Sequence, residues 1–201
     1  VLFNTVYGDG LRSLSRLVHE VEQDAAQAVE LERRAVKVTT ALMLKCWDQD
    51  AGLFWDLWTH DEQRVRILTA ASIFPLVLED LDPNMVRRLV KEHLLDPAEF
   101  WTRYPVPVVA VDEPSFDPSF RSQAVWRGPT WINVNWYLYW GLVQHGYQDI
   151  ATELANRTFE LMLRAGQREF YNPLTGEGLG ANDFSWSALV LDMLWGEGQL
   201  P

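Results

Sequence analysis

Two stretches of this 201-residue chain carry side chains that can do chemistry. The first runs Gln123-Ala-Val-Trp126-Arg127-Gly128-Pro129-Thr130-Trp131-Ile-Asn133-Val-Asn135-Trp136. Two tryptophans flank a Gly-Pro turn, with an arginine between them. Indole faces stack on flat apolar surfaces such as sugar rings, and they also pack well in cores. Arg127 offers planar donors to a carboxylate or to hydroxyls; equally, it can neutralise a buried acid. Gly128 permits close backbone approach. Thr130 is placed to cap a following helix whose first amides then face the same loop. The second stretch is Arg168-Glu169-Phe170-Tyr171-Asn172-Pro173, followed by Thr175-Gly176-Glu177-Gly178 and Phe184-Ser185-Trp186-Ser187. A glutamate beside aromatics at a helix end can be desolvated and aimed, as a general base requires. An ordinary solvated glutamate is the other reading of Glu169. Glu177 is a rival, but its glycine neighbours predict exposure.

Composition narrows the partners. With 28 acidic and 17 basic side chains the net charge is −11, which repels phosphate backbones and anionic lipid. Nucleic acid and membrane are therefore excluded as expected partners, and a small neutral or polar ligand fits better. At 48% hydrophobic residues the chain can bury a core, so disorder is not expected. Cys46 is the single cysteine, and His19, His60, His93 and His145 fall in no ligand spacing. No disulfide framework, metal or cofactor is expected. No apolar run reaches the roughly 18 residues of a membrane span. The N-terminus lacks a signal-peptide pattern, so cytoplasm is the default expectation. Ten tryptophans are many for a chain of this length, and they suit a stacking surface where several cluster in one loop.

The elements that must position these residues are mostly helical. Neither Gly nor Pro interrupts Leu11 to Lys45. Leu14, Val18, Val21, Ala25 and Ala28 recur at helical spacing, predicting two helices with a break between Gln23 and Arg33. Asp50-Ala51-Gly52 and the alternation after it predict a short hairpin within Cys46 to Arg66. Helix is expected over Leu68–Leu81, and again to Leu95 after Asp82 as cap and Pro83 at the first turn. Tyr104 to Pro129 reads as a long loop, of a length usually reserved for function. Helices are predicted over Thr130–His145, Ile150–Ala165 and Phe184–Trp195, with an irregular segment over Gln167–Asp183. Glu99-Phe100-Trp101 and Glu169-Phe170-Tyr171 echo each other at helix ends. Repeated helical hairpins with loops at one end suggest a toroid of helix pairs, about half of which this chain supplies.

Three blocks together resemble glycoside hydrolase family 63: Trp126-Arg-Gly-Pro-Thr-Trp-Ile-Asn-Val-Asn-Trp136, Glu169-Phe-Tyr-Asn-Pro-Leu-Thr-Gly-Glu177 and Phe184-Ser-Trp-Ser-Ala188. Within it the likeness is to mannosylglycerate and glucosylglycerate hydrolases, and more distantly to trehalases. Weaker likeness extends over nearly the whole chain, including Trp47 to Asp56. The resemblance implies an all-α, (α/α)6-barrel fold, with residues 1–201 as a single or partial domain forming the C-terminal half. It implies inverting hydrolysis of a small α-glucoside or α-mannoside, such as a glycosylglycerate or an oligosaccharide. Glu169 then matches the general base. Trp126, Arg127, Gly128 and Trp131 match the sugar-binding loop, and Trp186 lies in the closing aromatic motif.

The family's acid, an aspartate in a Gly-Trp-Asp-type motif, has no counterpart here. Asp48 and Asp56 follow tryptophans, but in a hairpin that matches a later part of the pattern. Asp112, in the long loop, is a substitute candidate. The missing motif and the count of helices both point to an absent N-terminal half, with which the chain would pair, or to self-association. Two other readings stand beside the enzyme: a carbohydrate-binding module without chemistry, and a helical interaction domain.

Overall fold

The computed structural model describes residues 1–196 and 198, so residues 197 and 199–201 of the expected domain lie outside the described residues. Helix α1 spans Leu2–Leu17 and continues in wider π-type turns over Val18–Glu22. Gln23 then turns left-handed at φ 56°. Asp24 accepts a hydrogen bond from the Gln27 amide at 2.9 Å, which starts α2, Ala25–Cys46. The expected break is thus present at the first residues of its predicted window. Helix α1 begins earlier than the sequence reading, because Gly8 and Gly10 sit inside it.

Cys46 to Arg66 holds two antiparallel hairpins instead of one. Strands β1 (Trp47–Asp48) and β2 (Leu53–Phe54) pair first, then β3 (Asp56–Trp58) and β4 (Gln63–Val65). The helix expected over Leu68–Leu81 is absent, replaced by 3-10 turns at Ala70–Ser72 and Phe74–Val77. Pro75 explains it: proline lacks the amide and clashes with the preceding turn. Ile73, Phe74, Leu76, Val77 and Leu78 are all buried, so no one-sided periodicity existed to read. Asp82 caps the next helix through the Asn84 amide at 2.8 Å, with Pro83 at its first position. This α3, Pro83–Arg88, continues in π-type turns over Leu89–Leu94.

The long loop is present, and α4 (Ile132–Gln144) and α5 (Gln148–Ala165) follow it. Thr130 does not cap α4. Its hydroxyl donates to Tyr104 O at 2.8 Å, and its backbone pairs with Tyr171. The segment Gln167–Asp183 is a hairpin, β5 (Arg168–Tyr171) and β6 (Gly178–Asn182), where an irregular stretch was expected. A 3-10 turn, Ser185–Ala188, leads into α6, Leu189–Gly196.

Helix α1 packs on α2 and on the 74–77 segment, which in turn lies on α4; α4 packs on α5 and α6. One continuous core runs from Leu42 through Phe54, Leu76, Leu138 and Leu161 to Met193. A small second cluster, Leu11, Val18, Ala28, Leu31 and Ala35, joins α1 to α2. Beside it the buried Arg12 guanidinium takes Asp80 through two hydrogen bonds at 3.1 and 2.6 Å, and also reaches Glu32 and Thr39. Charged groups this enclosed are tolerated only when paired. No helix among the described residues is long and apolar enough to cross a membrane.

Candidate active site

Three segments distant in sequence are stitched together at the start of α4. Thr130 pairs through its backbone with Tyr171 of β5, with N–H···O distances of 2.8 and 2.9 Å. Asn135, fully buried, donates to Pro105 O at 2.7 Å and accepts from the Val106 amide at 2.9 Å. The long loop, the α4 entry and the β5–β6 hairpin are therefore tied together, because each supplies hydrogen-bond partners for the others' backbone.

On this frame stands an aromatic stack. Trp126 lies face to face with Trp131, centroids 4.1 Å apart and planes 7° apart. Trp131 stacks in turn on Phe170 at 5.0 Å, and Trp186 tilts against it at 5.9 Å. Trp131 is only 3% exposed, so it backs the stack, whereas Trp126 and Trp186 remain 49% and 44% exposed. Exposed indole faces held rigidly by a buried one make a preformed platform for an apolar ring face.

Gly128 is buried with φ 149°, and a β-carbon there would lie 2.9 Å from Phe116 Cδ2 and 3.0 Å from the Asp117 carbonyl carbon. Its role is to let the Trp126 loop close on the 116–117 turn. Asp117 organises that turn: the hydroxyl and amide of Ser122, with the amides of Arg121 and Ser119, hold its carboxyl down at about 2. Arg127 is exposed, and its guanidinium makes no ion pair among the described residues.

Glu169 sits on β5 at the point where the register with β6 shifts, between Arg168↔Asn182 and Phe170↔Leu179. The expected helix end is thus a bulged strand, a device that re-aims a side chain. The carboxylate is half-buried, and its Oε2 accepts the Ala181 amide at 3.0 Å. Tyr171, buried, fixes the strand by accepting the Arg168 amide at 2.9 Å and donating to Gly166 O at 2.8 Å. Ser187 Oγ donates to Arg168 O, so the turn that carries Trp186 is tied to the strand that carries Glu169. Ala181 was not singled out from sequence, whereas Tyr171 and Ser187 stood there within the motif blocks. Ala181 acts through its backbone, which leaves no trace in residue type.

The other carboxylates stand apart. Glu177 is exposed in a turn built on Asn172. Asp112 is exposed, with its amide bonded to Ala98 O, and no contact joins it to Glu169 among the described residues. Asp48 is buried and fully engaged. Burial opposes its ionisation, but the Ala51 and Asp50 amides, the Trp55 indole and the Arg64 guanidinium outweigh that and lower its pKa. Asp56 is exposed on β3.

Residues 1–187 match the model of the mannosylglycerate hydrolase MGH1-like glycoside hydrolase domain. A mannosylglycerate hydrolase from Thermus thermophilus is 34% identical over 198 residues, covering 96% of this chain and 44% of that protein. A crystal structure of a family 63 mannosylglycerate hydrolase from a second strain of Thermus thermophilus, in complex with glucose, superposes with a TM-score of 0.82 at 31% identity. That match covers 97% of this chain and 47% of the other. A neutral trehalase from Saccharomyces cerevisiae shares the fold at a TM-score of 0.73 and 16% identity, covering 98% of this chain and 37% of the trehalase. The chain therefore spans less than half the length of these relatives. By the extent of the family match, over residues 1–187, the chain belongs to the mannosylglycerate hydrolase MGH1-like glycoside hydrolase family.

Proposed function

We propose that this chain carries the general base and the sugar platform of an inverting α-glycosidase, with Glu169 as the base. The observation that carries the reading is the placement of Glu169. One carboxylate oxygen is fixed by a backbone amide, the other has no protein partner among the described residues, and the strand is fused to the Trp126–Trp131–Phe170 stack. A carboxylate so held can take a proton from water while the ring stacks beside it. Inversion needs a second carboxyl, roughly 6.5–9.5 Å away, to protonate the leaving oxygen. Asp48 is engaged by Trp55 and Arg64, and the Gly-Trp-Asp-type motif has no counterpart in these 201 residues, which supports an acid supplied by another part of the protein. We assign it to the N-terminal half of an (α/α)6 barrel whose C-terminal half this chain forms.

The substrate is a small α-mannoside or α-glucoside. Arg127 carries a guanidinium with no ion-pair partner beside the platform, which suits a carboxylate-bearing aglycone such as glycerate. In the reaction, water loses its proton to Glu169 and attacks the anomeric carbon as the glycosidic C–O bond breaks. The acid delivers its proton to the departing alcohol. Proton NMR of the complete enzyme acting on α-mannosylglycerate and α-glucosylglycerate tests this. The free hexose should first accumulate as the β-anomer; first release of the α-anomer contradicts the assignment.

A further inference from the structure

Strand β6 is written Gly178-Leu-Gly180-Ala-Asn182, a sequence with little to recommend it as a strand. Each of its two strand glycines lies against a side chain at the bulge of β5, Gly178 against Arg168 and Gly180 against Glu169. Arg168 crosses Gly178 so closely that a β-carbon there would collide with its Cγ. The Arg168 guanidinium then donates to Gly180 O at 2.9 Å and to Asn182 Oδ1. Glu169 leans over Gly180. A β-carbon on Gly180 would lie 2.6 Å from Glu169 Oε2 and 2.7 Å from both Glu169 Cβ and Phe170 Cε1. Gly180 also has φ 68°, in the left-handed region. That conformation aims the next amide, Ala181 N–H, at Glu169 Oε2.

We infer that Gly180 is a positioning residue for Glu169, and this rests on the proposed role of Glu169 as general base. The absent side chain provides the space the carboxylate occupies, and the left-handed backbone presents the amide that fixes one of its oxygens. Both requirements meet at one residue, and a side chain defeats both: it displaces the carboxylate, and it strains the turn that aims the amide. Gly180 carries no side chain that could react, so it acts by placing Glu169.

Two sets of variants test the inference. In the complete enzyme, Gly180→Ala should lower kcat by roughly 10²-fold while KM stays within about threefold, since the clash falls on the Glu169 carboxylate and on Phe170 behind the stack, and the exposed faces of Trp126 and Trp186 are not among the atoms it meets. Wild-type kcat in Gly180→Ala, alongside an inactive Glu169→Gln, overturns the positioning role and leaves the base assignment intact. Full activity in Glu169→Gln removes the base assignment itself, whatever Gly180→Ala does. The second set reads stability without turnover, and serves if Gly180→Ala folds poorly. Thermal unfolding is compared for wild type, Gly180→Ala, Glu169→Gly and the double variant. The loss in Tm caused by Gly180→Ala should be markedly smaller when Glu169 has no side chain to displace. An equal loss in both backgrounds shows that the two residues do not oppose each other, and contradicts the inference.

Discussion

At the scale of single residues, the site divides into groups that face outward and groups that hold them. Trp126 and Trp186 present open faces, while Trp131, Phe170 and Tyr171 are buried behind them. The sequence reading placed Trp126, Trp131 and Trp186 together by resemblance, and they are together. It could not tell the covered ring from the open ones, because all three are the same residue type and burial is a tertiary fact. Trp126→Ala removes the outer ring of the stack and uncovers Trp131. An aromatic pair of this geometry contributes about 0.5–1.5 kcal/mol, so sugar affinity should fall roughly two- to tenfold. Titration of the intrinsic tryptophan fluorescence with the substrate sugar measures it; unchanged affinity would remove Trp126 from the platform.

At the scale of elements, legibility followed the local signals. The Asp82-Pro83 start and the end of α5 at Gly166 carry their causes in adjacent residues. The β5–β6 hairpin does not. Its register is held by the Arg168 side chain, the Tyr171 hydroxyl and Ser187, groups up to 19 residues apart. The 74–77 segment failed as a helix at Pro75, and its burial on all sides left no one-sided period to read. A long-range tie of the same kind joins the end of α3's π-type extension to the β1–β2 turn. His93 is buried with Nδ1 2.8 Å from Glu99 Oε2 and Nε2 2.9 Å from Ala51 O. Both partners are acceptors, so only the imidazolium satisfies both. Burial opposes that charge, but the Glu99 carboxylate and the Ala51 carbonyl outweigh it and raise the His93 pKa. The contribution to stability is thus fully present below the unfolded value of about 6.5 and is lost as pH rises through the higher folded value. Thermal unfolding should show the gap between wild type and His93→Gln narrowing as pH is raised from about 6 to 9. A gap that widens would reverse the assignment.

At the scale of the whole molecule, the candidate site residues are concentrated at one end of the helices. The loop 104–129, the α4 entry and the β5–β6 hairpin converge there. A separate cavity of about 640 Å³ lies between α1, α2 and β3, lined by Tyr7, Arg34, Lys37 and Leu57, and contains none of the site residues. Large apolar side chains stay exposed on α1, α4 and α6, among them Phe3, Trp140 and Trp195. Such exposure accords with further chain or a partner covering the inner helices. The aspartate motif absent from the sequence fits the same picture, since these 201 residues span less than half the length of the relatives. On the proposed function, the base and the platform work independently. Steady-state turnover of Glu169→Gln in the complete enzyme, measured beside sugar-dependent fluorescence of the same variant, tests that most directly. The account predicts hydrolysis reduced by at least about 10³-fold with sugar binding close to wild type. Turnover within a few fold of wild type would contradict it.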